Sequence, residues 1–267
     1  MKFETIRYQV EGRIATITLD RPDKLNAVSP QMVSELRAAY AAVESDDAVW
    51  IAVVTGAGRA FCAGADVGDI PGDGRVIYDE PYLSTLAQWE APQEATPPFR
   101  SMTKPVLAAI NGLCCGAGLD LVTTGDIVIA SERAEFFDPH VSIGLVSGRE
   151  MVRLARVLPL NIAMRVALTG RHERLSAQRA FDLGMVSEIV PHERLLARAR
   201  EIAELVNLNA PLAVRGTRLA IRKGLDLPLH EAEILAETFR ERVLRTDDSK
   251  EGPRAFVEKR APEWKCR

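Results

Sequence analysis

Two stretches of the chain place small residues and an acid where the main chain itself can do chemistry. They are Gly58-Arg-Ala-Phe-Cys-Ala-Gly-Ala-Asp66 and Asn111-Gly-Leu-Cys-Cys-Gly-Ala-Gly-Leu-Asp120. Each follows an apolar run and ends on Asp. Glycine and alanine let a ligand approach the backbone closely. One unpaired N–H from each loop would make an oxyanion hole, two donors aimed at a carbonyl oxygen that gathers negative charge. A helix starting at Ala117 would add its dipole. Tight packing of turns is the other use of such glycines, and spacing alone leaves both readings open.

Proton-transfer groups lie nearby in sequence. Asp120 closes the second loop. His140, in Phe136-Phe-Asp-Pro-His140, carries an imidazole whose ordinary pKa of about 6.5 suits acid–base work at neutral pH. Asp138 either orients that imidazole or caps the turn. Arg149 and Glu150 reach the cleft only if the Gly148 turn rotates them inward; otherwise they form a helix start or a surface ion pair. The four cysteines, Cys62, Cys114, Cys115 and Cys266, show no CxxC spacing, so neither a metal site nor a redox pair is expected. Cys114 and Cys115 read as small buried residues.

The elements that must hold these groups follow from periodicity. Ile14–Leu19 is a β-branched strand stopped by Pro22. Ser29-Pro30 opens a helix with Met32, Leu36, Tyr40 and Val43 on one face. Val49–Val54, Pro105–Ile110 and Asp126–Ala130 are apolar runs of the kind covered on both faces. Gly116–Thr124 reads as a short helix, and Val186–Val190 as a last strand. The alternation predicts an α/β class. Beyond it, Glu193–Val206, Leu212–Lys223 and Leu229–Leu244 have helical periodicity, Gly224 is a plausible stop, and Arg254–Arg260 closes the chain. Residues 68–100 break the pattern and read as a lid or a surface insertion.

At 267 residues the chain can bury a core without staples. A net charge of −3 gives no basic field for nucleic acid. No run approaches the ~18 apolar residues of a membrane span, and the start has no signal-like stretch, so a cytoplasmic setting is expected.

The sequence resembles the enoyl-CoA hydratase/isomerase (crotonase) family. The resemblance rests on Arg21-Pro-Asp-Lys-Leu-Asn-Ala27, Thr55–Asp66, Lys104-Pro-Val-Leu-Ala-Ala-Ile-Asn-Gly112 and Gly116-Ala-Gly-Leu-Asp120, followed by Leu168-Thr-Gly170, Ala180–Val186 and Phe256-Val-Glu-Lys-Arg260. It implies a crotonase-like spiral of ββα units over 1–195 and a helical trimerisation region over 196–267. It further implies an acyl-CoA thioester as partner and substrate, no separate cofactor, no metal, and a homotrimer or dimer of trimers. The N–H groups of Ala65 and Ala117 would form the oxyanion hole. Ala63, Asp66 and Val67 would border the adenine, Lys24 would lie near the phosphates, and Phe256 and Lys259 would reach CoA from the tail.

The match breaks at the acid–base positions. The family's two catalytic Glu residues fall on Asp120 and His140, and its later Gly-Gly stretch is Gly148-Arg-Glu-Met151. Enoyl-CoA hydration is the first expectation. Double-bond isomerisation, thioester hydrolysis and acyl-CoA binding without catalysis are the alternatives.

Overall fold

The computed structural model describes residues 2–66 and 102–267. The predicted 68–100 insertion and Val67 therefore lie outside the described residues. The chain opens with an antiparallel hairpin, β1 (Ile6–Glu11) and β2 (Ile14–Leu19). β3 (Ile51–Gly56), β5 (Val106–Ile110), β7 (Ile127–Ser131) and β10 (Glu188–Val190) then add in parallel, giving a six-stranded sheet in the order β1-β2-β3-β5-β7-β10.

Continuous apolar runs are needed here because both faces of this sheet are covered. Ile51 and Val53, with Leu107 and Ala109, pack under α6 (Leu195–Asn207) against Leu195, Ala199 and Ala203. The alternate residues Ala52, Val54, Ala108 and Ile110 face the main core, as the two-residue period of a strand requires. There they meet α1 (Pro30–Ser45), whose Met32, Leu36, Ala39, Tyr40 and Val43 are buried. Ser29 caps that helix, its Oγ accepting from Met32 N at 3.2 Å.

A second, four-stranded sheet was not expected. Its strands are β4 (Ala60–Cys62), β6 (Leu113–Cys115), β8 (Glu135–Phe137) and β9 (Leu175–Ser176). The chain crosses from large to small sheet three times, from β3 to β4, β5 to β6 and β7 to β8. This repeated corner is the physical origin of the two similar loops. Asn111 stitches two corners together: its Oδ1 accepts from Gly56 N at 3.1 Å, and its Nδ2 donates to Gly58 O at 2.9 Å.

Expected strand ends shift by one or two residues; Val49–Val54, for example, becomes Ile51–Gly56. The helix expected over Gly116–Thr124 is α2 (Ala117–Thr124). α3 (Arg149–Leu154), α4 (Leu160–Thr169) and α5 (Ala177–Asp182) fill the stretch before β10. In the tail, α7 (Pro211–Gly224) and α8 (Leu229–Leu244) follow the expected periodicity. Gly224 is the last residue of α7 rather than a stop beyond it. The basic closing segment belongs to α9 (Asp248–Glu258), which starts earlier than its charge pattern indicated. Among the described residues no helix is long and apolar enough to cross a membrane.

Candidate active site

The first loop leaves β4 and runs beside residues 25–28. Ala63 N donates to Leu25 O at 3.0 Å, Val28 N to Gly64 O at 2.8 Å, and Asp66 N to Val28 O at 3.0 Å. These bonds make a parallel bridge between Val28 and Ala65. In a parallel ladder the residues flanking the paired one carry the bonds. Ala65 N–H is therefore turned to the opposite side, and it has no partner among the described residues.

The second loop leaves β6 at Cys115 and turns sharply through Gly116 into α2. Gly116 has φ of 51° and Gly64 has φ of 92°, both in the region that favours glycine. Ala117 N–H is among the first donors of a helix, which lack intrahelical acceptors. The loops touch. A side-chain carbon on Gly116 would sit 3.3 Å from Gly64 Cα, and one on Gly64 would sit 3.5 Å from Cys115 O. The half-buried Ala65 and Ala117 thus flank one contact, the pairing an oxyanion hole requires.

Beneath the loops, Cys62, Cys114 and Cys115 are buried free thiols. Burial pushes the Cys62 thiol up to about 12 and raises its two neighbours as well, which leaves them unreactive.

Asp120 lies one turn along α2 from Ala117 and is buried. Its Oδ1 meets Arg153 Nη1 of α3 at 2.5 Å. Arg153 was not singled out from the sequence. The two residues are 33 apart, and only the packing of α2 on α3 brings them together.

His140 begins a 3-10 turn after β8. Its Nδ1 lies 2.9 Å and 3.0 Å from the two carboxylate oxygens of Asp138, and its backbone N–H donates to the same carboxylate at 2.9 Å. Asp138 therefore both orients the ring and caps the turn. The hydrogen bond to Asp138 raises the His140 pKa against the opposing effect of burial, and the negative charges of Asp138, Glu150 and Asp120 add to the rise. Burial pushes the fully buried Asp138 carboxyl up, but the bonds from His140 outweigh it and hold the carboxyl below its usual range. The Nε2 atom has no partner among the described residues. The imidazole also borders the second loop, because a side-chain carbon on Gly116 would sit 3.7 Å from His140 Cε1.

Glu150 corrects the surface reading. It stands in the first turn of α3, as a helix start, but is only 8% exposed, and its charge is felt by His140. Arg149 beside it is half-buried.

The remaining expected residues divide. Ala63 and Asp66 flank Ala65. The Asp66 carboxylate is tied to Arg21 Nη2 at 2.8 Å, and Arg21 Nη1 donates to Ala27 O at 2.6 Å. Arg21 lies within a quoted motif, but its 45-residue reach to Asp66 was not visible in the sequence. Lys24 is exposed at the end of the 3-10 turn Pro22–Lys24, next to this loop. Phe256, 85% exposed, and Lys259, which ends α9, are not brought to the loops within the described chain; the contacts of α9 run to α8. A separate cavity of about 500 Å³ between the large sheet and α6 contains none of the candidate residues. Its arginines are already paired, Arg7 with Asp20 and Arg200 with Glu11. Among the described residues no cluster of three or more His, Cys, Asp or Glu could hold a metal ion.

The family described as enoyl-CoA hydratase/isomerase matches residues 9–267. A probable mitochondrial enoyl-CoA hydratase of Dictyostelium discoideum is 34% identical over 98% of this chain and 91% of that protein. The (E)-benzylidenesuccinyl-CoA hydratase of Thauera aromatica is 35% identical over 97% of this chain and 98% of its own. The crystal structure of an enoyl-CoA hydratase/isomerase from Mycobacterium paratuberculosis is 73% identical, with a TM-score of 0.93 and full coverage of both chains.

Proposed function

Because the chain belongs to the enoyl-CoA hydratase/isomerase family, we propose that it binds a 2-enoyl-CoA and adds water across the double bond. The observation that carries this reading is the close approach of Gly64 to Gly116, which supports an oxyanion hole made by the N–H groups of the residues that follow them, Ala65 and Ala117. Both would donate to the thioester oxygen as it becomes an enolate.

In this reading neutral His140 accepts a proton from water through Nε2, and the oxygen attacks the β carbon. The electron pair of the double bond moves towards the thioester oxygen. Asp138 stabilises the imidazolium formed. Asp120, paired with Arg153, accepts a hydrogen bond from the attacking water and does not itself take the proton. The imidazolium then returns its proton to the α carbon, so one water is added in total. The buried charge of Glu150 favours the imidazolium from the other side. Coenzyme A arrives with the substrate, so the reading needs no further cofactor. Ala63, Asp66 and Val67 would border the adenine, with Lys24 near the phosphates. Phe256 and Lys259 would reach CoA from a neighbouring subunit of a trimer, a role their exposure supports. In the same reading the enzyme is cytoplasmic.

One observation favours a second reading. Arg153 already engages Asp120, which leaves His140 with Asp138 as the relay, and one relay of this kind also suffices to migrate a double bond without water. The two readings separate on one experiment: enoyl-CoAs of graded chain length in heavy-oxygen water, with products analysed by mass. Labelled 3-hydroxyacyl-CoA supports hydration. A shifted double bond without label supports isomerisation. Neither product from any enoyl-CoA sinks both.

A further inference from the structure

The helix that carries Ala117 is short, and at its far end the local chain supplies only the Gly125 N–H, which donates to Leu121 O at 2.9 Å. α2 has eight residues, no side-chain cap at either end and no basic residue in its last turn. Its final carbonyls would carry the negative end of the helix dipole unanswered. The answer comes from α7, almost a hundred residues later. Arg222 Nη2 donates to Thr124 O at 2.9 Å and to Gly125 O, and its Nη1 donates to Thr123 O at 3.4 Å. Its Nε pairs with Asp126 Oδ1 at 2.9 Å. Arg218, one turn earlier on α7, grips the other oxygen of Asp126 at 2.6 Å, and that oxygen also accepts from Val106 N at 2.8 Å. One guanidinium therefore spans the last carbonyls of α2 and the entry to β7, while α7 itself is packed along α8.

We propose that Arg222 is a positioning residue for the oxyanion helix, so that the docking of the helical tail sets where Ala117 N–H points. This rests on the reading of Ala117 as an oxyanion donor. The physical basis is rigidity: a helix of this length spans roughly 12 Å, so freedom at its C-terminal end becomes displacement at its N-terminal end. Oxyanion donors are sensitive to such displacement because they act through aligned, short hydrogen bonds. The planar, multi-donor guanidinium suits the task, and a lysine ammonium would reproduce its charge without its geometry.

The test uses the full-length protein and an aryl-substituted enoyl-CoA whose absorption moves to longer wavelength when its thioester carbonyl is polarised. With Arg222→Gln, kcat should fall about tenfold, a fraction of the cost of deleting a donor outright, while KM changes less than about twofold. The absorption shift imposed on the bound chromophore should shrink in parallel, and Arg222→Lys should recover part of both. A wild-type protein that binds the chromophore without shifting it counts against the oxyanion reading itself. A wild type that shifts it, with Arg222→Gln keeping both shift and kcat, overturns the role of Arg222 alone. Lower thermal stability with an unchanged kcat per folded molecule overturns it too, since that is the result of a merely structural arginine. If Arg222→Gln does not fold, Arg222→Lys decides by the same two readouts.

Discussion

The loop at Cys62–Asp66 and the loop at Cys115–Asp120 share composition and corner geometry, but they are held in different ways. The first is laid against residues 25–28 by main-chain bonds, with the Arg21–Asp66 pair across its end. The second has no such strand beside its donor. It is the start of a helix, wedged between Gly64 and His140 at one end and closed by Arg222 at the other. A donor set by a local ladder tolerates loss of one side chain. A donor set by the pose of a short helix depends on groups distributed over the chain. The second loop should therefore be the more fragile.

The sharpest way to break that contrast is to fill the contact from each side. Gly116→Val forces a side chain towards Gly64 Cα and His140 at positive φ, and should cost on the order of 10³ in kcat/KM, the upper end for loss of an oxyanion donor. Gly64→Val should cost about tenfold less. Equal losses in steady-state kinetics, in variants whose circular dichroism matches wild type, would end the claim of asymmetry. Next in size is His140→Asn, with an expected loss on the order of 10² in kcat for either reaction.

The pH dependence sharpens the comparison, because the second loop adjoins the imidazole of His140. His140 must be neutral to accept a proton, and its pKa is raised, so kcat should climb with pH through that raised value. Asp138→Asn removes the largest cause and should move the climb to lower pH in a pH–rate profile. Stability runs the other way. The His140 contribution is complete below the ordinary imidazole pKa and is lost as pH rises through the raised one. The Asp138 contribution is complete above the ordinary carboxylate pKa and is lost as pH falls through the lowered one. Melting temperatures of wild type and Asp138→Asn should therefore diverge most between those limits. A gap that does not vary with pH would refute the coupling. The smallest effect is expected at the first loop. Arg21→Ala should lower stability by about 1–2 kcal/mol in urea unfolding, and raise KM for acyl-CoA only a few-fold, since the ladder to Val28 remains.

The long strands, α1, α2 and the tail helices were legible because their periodicity runs over five or more residues. The loops were legible because small residues and a terminal Asp occur twice at similar offsets. β4, β6, β8 and β9 were not, since two or three residues carry no period. The Asp138–His140 pair spans two positions and was anticipated as one of two options. Arg153 with Asp120, Arg21 with Asp66 and Arg222 with α2 join residues 33 to 99 apart, and a lone charge gives no hint of which distant carboxylate or carbonyl it will meet. Glu150 looked like a surface residue because the helix it belongs to is only six residues long.

The three corners between the sheets have a consequence for how such a molecule can change over time. The first delivers Ala65, the second delivers Ala117 and Asp120, and the third leads to Asp138 and His140. Each corner is a separate segment with its own turn. In the proposed reaction, a substitution at the third could therefore replace the group that moves protons while the two that would cradle the oxygen stay as they were. On that proposal the intermediate would be inherited from two corners, and its fate could be rewritten at the third.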